Sequence, residues 1–259
     1  MASSAAPTVL ITGAARRIGR VLALDFAARG WRVGLHCRSS VEDAHALAGE
    51  IRAGNGMAVA LPADLTQIAD IERLIPTCAT ALGCPSCLIN NAAMFVEDDI
   101  AGLTPEVWDA QLAVNLRAPV FLARSLAANL PAGTPGAVIN MIDQRVWKPT
   151  PRFFSYSASK SALWGVTRTL AQALAPRIRV NAVGPGPVLR GPHQTEDEFR
   201  AECEATILRR GTRPEEIAAA VRFILDAPAM TGQMIALDGG QHLAWETPDI
   251  DAPRRFRNS

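Results

Sequence analysis

The stretch Thr12-Gly13-Ala14-Ala15-Arg16-Arg17-Ile18-Gly19 decides the fold, because it follows a short apolar, β-branched run and opens directly into a pattern of helical period. Gly13 makes the sharp exit from a strand, and Gly19 leaves room for close packing or the approach of a ligand. The first N–H groups of the helix point back into the turn, a setting that suits a pyrophosphate. The same alternation continues along nearly the whole chain. Runs at 8–12, 32–37, 57–62, 87–90, 137–141, 179–183 and 234–237 read as strands, and stretches at 18–29, 41–53, 67–81, 107–130, 153–175 and 215–225 as helices. This order predicts an α/β fold, a doubly wound seven-stranded parallel sheet with helices on both faces. Gly30 stands where a C′ glycine ends the first helix. Thr104-Pro105-Glu106 and Thr212-Arg213-Pro214-Glu215 read as helix starts with threonine as N-cap.

Composition narrows the function. The 259 residues are 49% hydrophobic, and 26 Lys+Arg against 25 Asp+Glu leave a net charge of +1, so no global field draws nucleic acid or an acidic membrane. No apolar run approaches the ~20 residues of a membrane span. The opening Met1-Ala2-Ser3-Ser4-Ala5-Ala6-Pro7 has neither a basic start nor a secretory core, so the expected location is cytoplasmic. Neither an internal repeat nor a dividing linker is present, which predicts one domain over 1–259. Two stretches read as irregular: 184–195, rich in Pro and Gly, and the tail 245–259 with Arg254, Arg255 and Arg257. Five cysteines, an odd number, suggest reduced thiols. Cys84 and Cys87 are the one pair at CxxC spacing, and His36, His45, His193 and His242 show no ligand spacing, so no metal is expected.

The end of the second strand reads His36-Cys37-Arg38-Ser39-Ser40, without the Asp or Glu that accepts ribose hydroxyls in NAD-binding versions of such a sheet. An arginine with neighbouring hydroxyls suits a ribose 2′-phosphate, which makes NADP(H) the expected cofactor. Further on, Tyr156 and Lys160 are four apart at the start of a helical run. That spacing puts them on one face, where an ammonium can lower the phenol's pKa and prepare a proton donor.

Taken in order, Thr12-Gly13…Gly19, Asp64-Leu65, Asn90-Asn91-Ala92-Ala93, Asn115, Tyr156-xxx-Lys160, Asn181…Pro185-Gly186 and Leu237-Asp238-Gly239-Gly240 resemble the short-chain dehydrogenase/reductases over almost the full length. The resemblance implies a Rossmann-type sheet with NADP(H) held by Gly13, Arg16, Arg17, Ile18, Gly19, His36, Arg38 and Ser39. It places Asp64 and Leu65 near adenine, Asn90, Asn91 and Ala92 beside the cofactor, and Lys160 on the nicotinamide ribose. Pro185, Gly186 and Val188 would lie near the nicotinamide, and Asn115 would support a proton-relay water. It also implies a homotetramer.

Two positions depart from that pattern. Arg17 replaces the middle glycine of the turn, and Asp143 stands where a catalytic serine is expected, thirteen residues before Tyr156. A serine hydroxyl donates to a substrate carbonyl, whereas an ionised aspartate only accepts and repels a developing oxyanion. Reduction of C=N is favoured instead, because positive character gathers on nitrogen. Arg in the glycine turn with an Asp-Tyr-Lys centre resembles the pteridine reductases and the related dihydromonapterin/dihydrofolate reductases. There Phe95 would stack the pterin, while Ala93 stands where a serine is often found. His193 and the segment 191–203, within a mobile loop at about 186–205, would cover the substrate. The expected activity is NADPH-dependent reduction of a pteridine or dihydropteridine, with Asp143, Tyr156, Lys160 and Asn115 catalytic and Arg17, Phe95, Asp143 and Tyr156 on the substrate. Two alternatives remain: a carbonyl reductase in which Asp143 is a neutral donor, and a non-catalytic dinucleotide sensor.

Overall fold

The structure, a computed structural model, describes residues 6–191 and 194–245. The expected substrate-loop residue His193 and all but the first residue of the tail 245–259 lie outside the described residues. Strand β1 (Thr8–Ile11) feeds α1 (Arg17–Ala28), followed by β2 (Arg32–Cys37), α2 (Val41–Ala53), β3 (Met57–Pro62), α3 (Ile68–Leu82) and β4 (Cys87–Asn90). The second half continues with α4 (Pro105–Leu112), α5 (Ala118–Asn129), β5 (Gly136–Met141), α6 (Phe154–Leu174), β6 (Ile178–Pro185), α7 (Glu196–Glu204), α8 (Pro214–Asp226) and β7 (Met234–Leu237). The strands form one seven-stranded sheet in the order β3-β2-β1-β4-β5-β6-β7, parallel throughout. The expected seven-stranded α/β architecture is the one observed.

Burial on both faces explains the unbroken apolar strands. Along β1, Val9 and Ile11 join Leu22, Phe26, Leu47 and Val221 on the side of α1, α2 and α8. Leu10 between them joins Ile71, Ile75, Leu88 and Leu122 on the side of α3 and α5. Val9 pairs with Val33 on β2 and with Cys87 on β4, so β1 is the centre from which the chain winds outward in both directions. A crevice opens where the order reverses, beyond the carboxyl ends of β1 and β4. The 12–19 turn and the 91–95 segment meet there.

Three local expectations are corrected. The single helix at 107–130 is α4, a π-helical turn over Ala113–Arg117, and α5. Pro119, in the first turn of α5, has no N–H to give to the carbonyl of Asn115 four residues earlier, and the ladder shifts there. Thr104 does cap α4, accepting from Val107 N at 3.4 Å, but Thr212 does not cap α8. Its hydroxyl donates to the Leu237 carbonyl at 2.6 Å, while Glu216 accepts from Arg213 N at 2.8 Å. Finally, the segment expected as loop at about 186–205 contains α7, started by a capping box between Thr195 and Glu198. No helix among the described residues is long and apolar enough to cross a membrane.

Candidate active site

The crevice holds a cavity of about 410 Å³. Of the residues expected around a dinucleotide, Gly13, Arg16, Arg17, Ile18, Gly19, His36, Arg38, Ser39, Asp64, Leu65, Asn91 and Ala92 line it. Ala15, Cys37, Ser40, Ala93, Met94 and Val114 complete the wall. The N-terminus of α1 faces it with no acidic residue in its first turn and no side-chain cap. A Cβ on Gly19 would collide with the Gly13 carbonyl, so the turn is backbone packed on backbone. Arg38 and Ser39 are exposed at the end of β2.

Two polar residues brace the turn. His36 accepts from Gly13 N at Nδ1 (3.1 Å), and its Nε2 lies 3.1 Å from the Ala63 carbonyl, so the neutral ring with its proton on Nε2 satisfies both. Burial takes its pKa down to about 4, against a smaller pull upward from the Ala63 carbonyl, which keeps it neutral. Asn91 donates from Nδ2 to the carbonyls of Thr12 (2.9 Å) and Gly13 (3.0 Å), tying β4 to β1. Asn90 points elsewhere: it donates to Asn140, which donates to Thr167, in a buried chain away from the cavity.

Arg17 adopts φ +54° at the position of the missing glycine. Its guanidinium donates to the carbonyls of Leu189 and Arg190, each at 2.8 Å, and so joins the turn to the segment after β6. Arg17 also lines the cavity in which its expected partner, a phosphate or pterin, would lie. Pro185, Gly186 and Val188 are not among the cavity's lining residues. Gly186 N donates to the Leu237 carbonyl at 3.0 Å, and Val188 packs on the core beside α1 and α8.

The expected reaction centre lies at the start of α6. Tyr156 donates its hydroxyl to Asp143 Oδ2 at 3.0 Å. Asp143 also accepts from Arg145, through the backbone N at Oδ1 (2.8 Å) and through Nη1 at Oδ2 (3.1 Å). Three donors on two oxygens are the partners of a carboxylate, and the pair is largely buried, with 13% of the Asp143 and 19% of the Arg145 side chain exposed. Burial pushes the Tyr156 phenol well above its ordinary range, the Asp143 charge adds to this, and Arg145 opposes it. The charged groups that act on the phenol here are Asp143 and Arg145, and the expected action of Lys160 on it is not among them. The Lys160 ammonium donates to the Met141 carbonyl at 2.7 Å and stands 5.7 Å from the phenol ring centroid, and burial lowers its own pKa to about 8. Lys160 does not line the cavity.

Asn115 is fully buried, and its side chain is fully engaged. It accepts from Met94 N (2.8 Å) and donates to the Met94 carbonyl (2.9 Å) and to Ser159 Oγ (3.0 Å). The side chain expected to support a relay water instead fixes the wall segment against α6.

Phe95 is half exposed beside the phenol. It stacks on Phe153 with ring centroids 4.5 Å apart and planes 9° apart, and meets Tyr156 edge-on at 4.6 Å. The Arg145 guanidinium lies 5.5 Å from the centroid of Phe95 and 5.2 Å from that of Phe153. Arg145 and Phe153 are the neighbours of this centre that the sequence reading missed. An Asx-type turn after a strand end was the available signal for Arg145. Phe153 gave none beyond its place at a helix start, and it holds φ +56° there. The CxxC cysteines read as packing: burial pushes Cys87 up to about 12 and also raises Cys84.

Asp143, Tyr156 and Phe95 are not among the cavity's lining residues; a glycine turn at the reversal of an open parallel sheet is the arrangement of the dinucleotide-binding α/β class. Comparison with known proteins gives the family. The Enoyl-(Acyl carrier protein) reductase family matches residues 13–242. A short-chain type dehydrogenase/reductase from Picea abies is 31% identical over 248 residues, covering 90% of this chain and 91% of that protein. The chain belongs to the short-chain dehydrogenase/reductase family. A 3-oxoacyl-acyl-carrier-protein reductase from Synechocystis sp. is 32% identical, covering 93% of this chain and 98% of the relative. The FolM alternative dihydrofolate reductase 1 from Brucella canis, solved in complex with NADP, is 46% identical with a TM-score of 0.92, covering 94% of this chain and 97% of that one.

Proposed function

We propose that this protein is an NADPH-dependent reductase of a pteridine-type heterocycle, of the dihydropteridine or dihydrofolate kind. The observation that carries the reading is Asp143: a carboxylate, bonded to the phenol of Tyr156, which meets Phe95 edge-on, stands where a hydroxyl donor would serve a ketone. The likeness to a dihydrofolate reductase solved with NADP supports it.

NADPH would supply the hydride. The uncapped α1 N-terminus with Gly13, Gly19 and Arg16 fits its pyrophosphate, Arg38, Ser39 and Ser40 its 2′-phosphate, and Asp64 and Leu65 its adenine side. Phe95, half exposed and with one face taken by Phe153, would offer its free side to a substrate ring. Tyr156, held protonated through neutral pH, donates the proton to substrate nitrogen, and Asp143 orients the donor and favours positive character on that nitrogen. Lys160 and Asn115 position these groups from behind, and Arg17 ties the glycine turn to the segment after β6. A cytoplasmic homotetramer belongs to the same proposal.

A second reading is a carbonyl reductase. Arg145 favours it, since its guanidinium offsets the Asp143 charge and is itself a donor beside Phe95 and Phe153. A panel of dihydrobiopterin, dihydrofolate, acetoacetyl thioesters and simple ketones, each with NADPH and with NADH, separates the two. Turnover of the heterocycles with NADPH is expected; turnover of the ketones or thioesters alone would establish the second reading.

A further inference from the structure

Phe153 is a bulky residue in a conformation that suits glycine. Its φ of +56° and ψ of +48° lie in the left-handed region, where the Cβ of an L residue is crowded. Such strain persists only where the surrounding structure over-determines the backbone, and it gathers at functional sites. Here the segment ahead of α4 does the fixing. Phe154 N donates to the Asp98 carbonyl at 3.3 Å, Ser155 N donates to Asp98 Oδ1 at 3.1 Å, and the Ser155 hydroxyl donates to Asp98 Oδ2. On the other side of Phe153, Arg152 Nε donates to Glu97 Oε1 at 2.9 Å. Asp98 thus supplies the cap that α6 lacks at its own N-cap residue.

The same segment carries Phe95. Fastening 97–98 to 152–155 therefore brings two flat rings face to face, with planes 9° apart, and sets Phe95 edge-on to Tyr156 at 4.6 Å. The Arg145 guanidinium stays within 5.5 Å of both phenylalanine centroids. Phe95 is half exposed, and a glycine at 153 would ease the backbone while leaving uncovered the face that Phe153 now fills. We propose that Phe153 is the positioning residue of the substrate wall: its strained backbone holds its ring against Phe95, and that backing fixes the plane that Phe95 offers to a flat heterocycle beside Tyr156. The inference rests on the reading of Phe95 as a substrate-facing ring, and part of its test works on the free protein.

The chain has one tyrosine, so ring-labelled tyrosine gives one ring spin system in NMR, and the shift that Phe95 imposes on it reports where the Phe95 ring lies. Phe153→Gly suits the left-handed backbone and keeps its melting temperature within about 3 °C of the wild type, whereas Phe153→Leu keeps the strain, loses the stack and melts lower. Both variants move the Tyr156 signals at least halfway toward their position in Phe95→Ala, and Phe153→Tyr returns them. In a Phe95→Ala background, Phe153→Gly moves them no further. With a dihydropteridine and NADPH, Phe153→Gly and Phe153→Leu raise KM about tenfold with kcat within about threefold, and Phe153→Tyr recovers the KM. Phe153 is not among the cavity's lining residues, so NADPH affinity stays within about twofold. Tyr156 signals left at their wild-type position by Phe153→Gly overturn the proposal, as does a rise in KM of the same size in the Phe95→Ala background. So does a KM that follows melting temperature, raised in Phe153→Leu and unchanged in Phe153→Gly. Failure to turn over any heterocycle, with the Tyr156 shifts as expected, counts instead against the substrate assignment and leaves the action of Phe153 on Phe95 standing.

Discussion

At Gly19 a methyl group would lie 2.1 Å from the Gly13 carbonyl oxygen and 2.8 Å from the Cα of Ala14, both backbone atoms that cannot turn aside. Gly19→Ala is therefore expected to cost about 2 kcal/mol of stability and to weaken NADPH binding at least tenfold, measured by denaturant unfolding and fluorescence titration. His36 acts on the same turn through its protonation. The folded pKa, about 4, lies below the unfolded value of 6.5, so between these limits the unfolded chain binds the extra proton. Stability from this residue is complete above pH 6.5 and falls as pH drops toward 4, by about 3 kcal/mol in all. His36→Asn keeps an acceptor for Gly13 N but does not titrate, so its unfolding free energy should decline less steeply over that window; an identical slope in both proteins would contradict the assignment. Both features are backbone-centred, and both were legible in the sequence only as a turn with a histidine nearby. The partner of His36 is an amide 23 residues away, which no local pattern reports.

The π-helical turn at Ala113–Arg117 joins two elements that hydrophobic period alone runs together. Period registers which face is apolar, and that face is continuous from α4 into α5; the break lies in the missing N–H of Pro119, a residue whose chemistry was readable but outweighed by the pattern. The turn presents Asn115 to Met94 and Ser159. Asn115→Ala leaves the N–H and carbonyl of Met94 without their partner and should destabilise the protein by about 2–4 kcal/mol, while lowering kcat through loss of the wall segment's position. Melting curves and steady-state kinetics check it, and an unaltered kcat would separate the wall from the chemistry. The α6 start teaches a related lesson. Four-residue spacing correctly places Tyr156 and Lys160 on one face, yet the Met141 carbonyl captures the ammonium, and the cation beside the phenol's partner comes from another segment. Spacing along one helix reports neighbours on that helix and is silent about what the facing loop supplies.

Across the molecule, the parallel order and the cavity at its reversal followed from the sequence because the central strands are largely apolar on both faces and a glycine turn follows the first of them. The exposed Arg38 and Ser39 at the cavity wall predict a cofactor preference visible in stability. NADPH at one hundred times its Kd should raise the unfolding free energy by about 2.7 kcal/mol. NADH at the same concentration should do much less, and Arg38→Ala should narrow the gap at least tenfold in relative affinity; equal stabilisation by the two nucleotides in the wild type would remove the basis for the NADPH assignment. On the proposed reading, what the enzyme reduces depends on the charge at Asp143. The most direct measurement is kcat/KM for a dihydropteridine and for a simple ketone, with NADPH, in the wild type and in Asp143→Ser. A fall of at least about 100-fold in the ratio of heterocycle to ketone turnover is predicted on replacing the carboxylate by the hydroxyl. A ratio unchanged by that substitution would contradict the account.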